Sequence, residues 1–103
     1  MAEDIKKELE EQINYTIEII NNLDNNNIEE FLNNAIDILF IKGSCENNLY
    51  GFSILINVGN PYIELRYIRN EAKIIALWGN TEISKDIDIE KAQMILDYLD
   101  ILK

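Results

Sequence analysis

The chain has 103 residues, a length typical of one domain, and 48% of them are apolar, which is enough for a hydrophobic core. Its formal net charge of -10 disfavours binding to nucleic acid or to an anionic membrane surface, because either contact would bring like charges together. The absence of histidine excludes Ser-His-Asp and Cys-His nucleophilic catalysis and imidazole metal ligands.

Cysteine usage and hydropathy indicate the compartment. The single cysteine, Cys45, excludes an internal disulfide framework and fits a reducing environment, so we interpret it as a free structural thiol. The longest apolar runs are too short to cross a bilayer, and the acidic start is unlike the basic start of a signal peptide. We therefore expect a single domain over residues 1–103, located in the cytoplasm.

The first predicted element is an amphipathic helix over residues 3–23. Apolar residues recur at helical spacing along it: Ile5, Leu9, Ile13, Ile17 and Ile20. The other face of this helix is acidic. The run "DNNN" at residues 24–27 predicts its end.

The second predicted element, over residues 28–40, has two interpretations. Its apolar residues follow the helical i, i+3, i+4, i+7 pattern, with Asn27 and Glu30 at the spacing of a capping box and Gly43 as a stop. The alternative is a short strand at "IDILFIKG", where apolar residues also alternate. We predict the helix.

From Leu49 the apolar period changes to two, which predicts strands. Three are predicted, over residues 49–58, 62–69 and 72–78, and residues 81–87 add a fourth if the sheet extends to them. Short connections such as "RNEA" predict an antiparallel meander. Trp78 ends the third strand, and we favour a core position for it over an exposed interface position.

A last helix follows Asp88, its predicted N-cap. Its apolar face is Ile89, Ala92, Ile95, Leu96, Leu99 and Leu102. The helices supply the cover that one apolar face of a meander needs. The predicted fold class is α+β, an antiparallel three- to four-stranded meander packed against N-terminal helices and a C-terminal helix. If the sheet has an uncovered face, we expect it to carry Tyr62, Glu64, Arg66 and Trp78.

Few groups of residues offer catalytic or ligand chemistry. Glycine-rich phosphate loops are missing from the sequence. The acids of "DIDIE" at 86–90 lack the spacing of a calcium loop, and the cap role of Asp88 is favoured over a cation site. A small anionic ligand such as a nucleotide needs a cluster of basic residues, and the sequence offers one such cluster, Arg66, Arg69 and Lys73. We therefore rank a nucleotide-binding role last. We expect no enzyme activity, no cofactor and no metal.

Negative charge is concentrated near the N-terminus. Residues 1–40 hold ten acids and two bases, and no base occurs between Lys7 and Lys42. One stripe of the first helix, at i, i+4, i+7, i+11 and i+14, consists of Asp4, Glu8, Glu11, Tyr15 and Glu18, and the acids Glu29 and Glu30 extend it.

This stripe has a functional and an ordinary interpretation. Neighbouring Cβ atoms along it are about 5 to 6 Å apart, close to the phosphate spacing of one nucleic-acid strand. The ordinary interpretation is a solvated helix face, supported by opposite-charge pairs such as Lys6 with Glu10 and by the preference of acids for a helix N-terminus. The uncompensated block of acids after Lys7 favours a partner with a basic surface.

The acidic first helix, the meander with "YIELRYIRNEAKIIALWG" and the capped last helix resemble small phage-encoded anti-CRISPR proteins in the layout of the whole chain. The resemblance implies a protein without a cofactor that acts in the cytoplasm of a host cell. It also implies binding to a Cas effector, whose nucleic-acid channel is blocked by carboxylates in place of phosphates.

We therefore predict an acidic inhibitor that binds a basic, nucleic-acid-binding surface of a host defence nuclease. The predicted phosphate surrogates are Asp4, Glu8, Glu11 and Glu18, with Glu29 and Glu30 extending the patch and Tyr15 as a stacking or apolar contact. The alternative is a homodimeric structural or adaptor module, joined through a sheet edge or face, whose charge only maintains solubility.

Overall fold

The computed structural model describes residues 2–42 and 49–102. In chain order its elements are α1 (Ala2–Asn21), α2 (Ile28–Asn33), β1 (Asp37–Lys42), β2 (Leu49–Asn57), β3 (Tyr62–Ile68), β4 (Glu71–Trp78), β5 (Thr81–Asp86) and α3 (Ile89–Leu102). The predictions that fall on Gly43, on Cys45 and on the side chain of Leu102 lie outside what it describes.

The strands form one antiparallel sheet in the order β1-β2-β3-β4-β5. Leu65, in the central strand β3, pairs with Ile54 on one side and with Ile74 on the other. Two-residue turns join β3 to β4 and β4 to β5. At the first of them Arg69 and Asn70 adopt φ angles of 52° and 67°, the left-handed backbone that a tight hairpin needs. The predicted α+β meander is confirmed, with five strands instead of three or four.

The helices cover one face of the sheet, and the core lies between the two layers. α1 packs over β4 and β5, and α3 packs over β2 and β4. Fully buried core side chains come from α1, α3 and the three central strands, and they include Leu9, Ile13, Ile20, Phe52, Ile54, Leu65, Ile74, Ile95 and Leu99. The half-buried Trp78 packs against this core, as the favoured interpretation predicted. The side chains that alternate with the core residues along the strands form the outer face of the sheet.

The prediction of a helix over residues 28–40 is wrong beyond Asn33. Asp37–Lys42 is the strand β1, which pairs with β2, so the strand interpretation of "IDILFIKG" is correct. Just before it, the backbone N–H of Ile36 donates to the carbonyl oxygen of Leu55 at 2.8 Å. The apolar spacing of this segment suits a helix and a strand alike, and pairing with a distant strand decides between them.

One of the two predicted helix caps forms. Asp88 Oδ1 accepts a backbone N–H from the first turn of α3 at 2.9 Å. The predicted capping box of Asn27 and Glu30 is wrong, since the side chain of Asn27 does not cap α2. Its Oδ1 accepts the N–H of Asp24 at 2.8 Å, and its Nδ2 donates to the carbonyl of Asn22 at 2.9 Å. Asn27 therefore fixes the loop between α1 and α2.

Candidate partner-binding site

A groove of about 800 Å³ lies between α1, α2 and the end of the β2–β3 hairpin. Its apolar lining is Ile19, Leu23, Phe31, Ala35, Ile56 and Ile63. Three exposed carboxylates also line it, those of Glu8, Glu11 and Glu30. The described residues that line it include no lysine or arginine. This acidic groove therefore combines an apolar surface with uniformly negative charge.

The α1 side of the acidic groove is formed by residues at helical spacing. Glu8, Glu11 and Tyr15 follow each other at intervals of three and four residues, beside the stripe that packs into the core. Tyr15 is 66% exposed, so most of its ring is available for contact. The buried hydroxyl of Thr16 also lines the groove, but it donates to the carbonyl of Gln12 at 2.9 Å and is satisfied within the helix.

The structure brings four of the seven predicted site residues to the acidic groove. These are Glu8, Glu11, Tyr15 and Glu30. The other three are exposed but are not among the lining residues: Asp4, Glu18 and Glu29. The predicted acidic patch is thus divided into a part that borders an apolar groove and a part that faces solvent around it.

The lysines and arginines that the structure describes do not neutralise the groove carboxylates. Among the described residues, no ion pair joins Glu8, Glu11 or Glu30 to a lysine or an arginine. Two lysines donate hydrogen bonds to acceptors in the helical layer, and both acceptors are neutral. Lys85 Nζ donates to Asn14 Oδ1 at 2.9 Å, and Lys91 Nζ donates to the carbonyl of Leu23 at 2.6 Å. The negative charge of the groove is therefore directed to solvent or to a partner.

The apolar part of the acidic groove was not predicted from the sequence. Phe31 and Ile56 come from elements that are distant in the chain, and the wrong extension of the second helix concealed the space beside α2. Ile19 could have indicated this surface, because it is an apolar residue on the acidic side of α1. In the structure it is 37% exposed. An apolar residue outside the core stripe of a surface helix is a pointer to a contact surface.

A hydrogen-bonded network lies on the outer face of the sheet. Its centre is Glu64, only 4% exposed, whose carboxylate accepts hydrogen bonds from Ser53 Oγ at 2.7 Å and from the Tyr62 hydroxyl at 2.7 Å. Arg66 Nε donates to the same carboxylate at 2.8 Å. Tyr62, Glu64 and Arg66 thus share the outer face, as expected, whereas Trp78 lies on the core side, so that part of the expectation is wrong.

The network changes the pKa of three of its members, and the hydrogen bond between Arg66 and Glu64 raises the pKa of Arg66. Burial alone would raise the pKa of Glu64, but the hydrogen bonds from Arg66, Tyr62 and Ser53 outweigh burial and hold that pKa below its usual value. The hydrogen bond to Glu64 raises the pKa of Tyr62 to about 12. Because its donors and acceptors are matched, we interpret the network as a structural link between β2 and β3.

The three bases considered for an anionic ligand do line one hollow, of about 550 Å³, on the outer face. Arg66 is engaged by Glu64, and Arg69 Nε donates to the Tyr50 hydroxyl at 2.5 Å. Two acids line the same hollow, Glu71 and Glu82. Their charge opposes that of the bases, which makes this hollow a poor anion site.

The described part of the chain offers neither a metal cluster nor a membrane span. Within residues 2–42 and 49–102, no three side chains of the Asp, Glu or Cys type are placed together to hold a metal ion. No helix in those ranges is long and apolar enough to cross a membrane. Among the described features, the acidic groove is therefore the candidate site.

Comparison with protein-family models, with curated proteins and with solved structures finds no match to this chain.

Proposed function

We propose that this chain is a binding protein that docks its acidic groove on a basic surface of another protein. The observation that supports this function is the juxtaposition of exposed, unpaired carboxylates with an apolar surface and the exposed ring of Tyr15. Charge alone serves solubility, but an apolar groove beside that charge offers a surface that releases water on contact.

The two components of the groove have different roles in the proposed complex. The carboxylates of Glu8, Glu11 and Glu30 attract a cationic partner at long range and set its orientation, an effect that salt weakens. The apolar lining supplies contact free energy that salt does not screen. Asp4, Glu18 and Glu29 extend the negative field around the groove.

The basic surface that fits best is one built for nucleic acid. Such surfaces present lysines and arginines to the phosphates of a strand, and neighbouring Cβ atoms along one helical stripe are about 5 to 6 Å apart, an interval comparable to the phosphate spacing. The proposed partner is a nucleic-acid-binding nuclease such as a Cas effector, and the proposed effect is inhibition by competition. In this proposal the chain itself does not bind nucleic acid, because its net charge is -10.

A competition experiment tests this function. Candidate effector complexes are incubated with labelled target DNA and increasing amounts of the chain, and bound DNA is measured by fluorescence anisotropy. We expect the chain to displace DNA from one such effector, and to do so less well at high salt. Binding to an effector without any loss of bound or cleaved DNA would contradict the proposed mechanism.

The alternative function is a homodimeric structural or adaptor module whose charge only maintains solubility. Exposed apolar side chains on β1, Leu39 and Phe40, favour it, because they provide a surface for another chain. Charge reversal in the acidic groove distinguishes the two functions. An adaptor would keep its partners after that change, whereas the proposed inhibitor would lose its target.

A further inference from the structure

We infer that the β1 edge of the sheet binds a second copy of this chain, which adds its own β1 in antiparallel orientation. β1 pairs with β2 on one side and ends the sheet on the other. Within residues 2–42 and 49–102, the backbone N–H and C=O groups on that free side have no partner strand, and such an edge is a template for strand addition. One backbone N–H of β1, that of Ile38, donates to Asp37 Oδ1 at 2.8 Å. This inference does not depend on the proposed function.

The two edges of the sheet are built differently. The outer edge strand β5 alternates half-buried residues with three exposed polar ones, Glu82, Ser84 and Asp86, which is the pattern of a protected edge. β1 has exposed apolar side chains on both of its faces. Leu39 on the outer face is 53% exposed, and Phe40 on the core side is 46% exposed.

Exposure on both faces distinguishes strand addition from other contacts. A partner that packed on the outer face would cover Leu39 but would leave Phe40 in water. A strand added alongside β1 brings side chains next to both, because neighbouring strands are about 5 Å apart and their side chains project to the two faces alternately. Ile36, which is 57% exposed immediately before β1, extends the same apolar edge.

The sequence of β1 is complementary to itself. In a symmetric antiparallel pair, residues of the same face lie opposite each other, so either Leu39 or Phe40 faces its own counterpart at the centre. In both registers, the side chains at the centre of the pair are apolar on both strands. They also place the end of one strand that carries Lys42 next to the end of the other that carries Asp37. A parallel pair would bring like charges together.

The location of β1 also limits repulsion between two acidic chains. α1, which carries most of the acids in the N-terminal region, packs over β4 and β5, away from the β1 edge. With strands about 4.8 Å apart, seven intervals separate the two β4 strands of a dimer, roughly 34 Å. The Debye length at physiological ionic strength is about 8 Å, so the two α1 helices are screened from each other.

Cross-linking of single-cysteine variants tests the pairing. In a Cys45→Ser background, Leu39→Cys and Phe40→Cys are made separately and oxidised mildly, with Ser84→Cys on the opposite edge as the control. We expect one β1 variant to form an intermolecular disulfide, because directly opposed residues in an antiparallel pair have Cα atoms about 4.5 to 5.5 Å apart, within disulfide range. The Ser84→Cys variant should stay monomeric on a non-reducing gel.

Light scattering on the unmodified chain provides the second measurement. We expect twice the monomer mass at micromolar concentration, and a return to the monomer mass for the double variant Leu39→Lys, Phe40→Lys, with circular dichroism to check its folding. If that double variant unfolds, the cross-linking result still tests the β1 pairing. A monomeric unmodified chain with no more cross-linking at β1 than at Ser84→Cys would overturn the inference, as would a β1 edge occupied by a strand of a different protein.

Discussion

The guanidinium group of Arg66 covers the carboxylate of Glu64 on the outer face of the sheet. Arg66 Nε lies 2.8 Å from Glu64 Oε2, and the Glu64 side chain is 5% exposed while that of Arg66 is 47% exposed. Ser53 and Tyr62 complete the set of donors to this carboxylate. The charge of Glu64 is therefore buried but fully matched, an arrangement in which removal of one group leaves the others without partners.

The first prediction concerns the charge of Glu64. Glu64→Gln replaces one acceptor oxygen by an amide NH₂ that faces the donors of Ser53 and Arg66, so we expect the free energy of unfolding to fall by about 2 kcal/mol. Urea unfolding followed by circular dichroism measures it. Glu82→Gln, an exposed change of the same chemistry on β5, is the control and should have little effect. Equal stability of the two variants would contradict the structural role of the network.

The second prediction concerns alkaline pH. The pKa of Tyr62 is raised to about 12 in the folded chain by its hydrogen bond to Glu64, against about 10 in an unfolded chain. The unfolded chain therefore loses this proton first, and the stabilisation is present below pH of about 10 and is lost as pH rises toward 12. Urea unfolding between these values should show the decline. The decline should be smaller in Tyr62→Phe, and an identical slope in that variant would rule out this assignment.

The third prediction concerns acid pH. The pKa of Glu64 lies below its usual value in the folded chain, so the unfolded chain takes up this proton first as pH falls. The stabilisation by Glu64 is present above the unfolded-state pKa of about 4.3 and is lost as pH falls through the lower folded value. Glu64→Gln should remove that part of the acid dependence. Superimposable acid unfolding curves for the two chains would show that the carboxylate does not contribute.

The features predicted best from the sequence are those that depend on residues close together in the chain. The alternation of Ile63, Leu65 and Tyr67 gave the core face of β3, and the cap at Asp88 followed from its position before an apolar helical pattern. Local patterns did not decide the segment at 36–42, because its apolar residues satisfy both periods and only its pairing with β2 selects the strand.

Features assembled from distant parts of the chain were not predicted. The burial of Glu64 depends on Ser53, eleven residues earlier and on the adjacent strand. The acidic groove likewise needs Phe31 and Ile56, whose proximity to α1 follows from the packing of three elements. The stripe on α1 was visible in the sequence, but the apolar surface beside it was not.

The fourth prediction separates the apolar and the charged parts of the groove. Tyr15→Ala and Ile19→Ser change exposed side chains on α1, so folding should be little affected. If the groove binds a partner, each should weaken the complex by about tenfold without changing its salt dependence, because the lost contact is apolar. Calorimetric titration at low and high salt measures both quantities. Unchanged affinity in both variants would remove the apolar lining from the contact.

The most direct test of the acidic groove as the binding site is charge reversal with a matched control. The double variant Glu8→Lys, Glu11→Lys and the control Glu82→Lys, Asp86→Lys change the net charge equally, the first inside the groove and the second on exposed positions of β5. Affinity for an effector from which the unmodified chain displaces DNA in the competition experiment is measured at low and high salt. We expect the groove variant to lose binding at low salt while the control retains most of it, and equal retention by both would contradict the account.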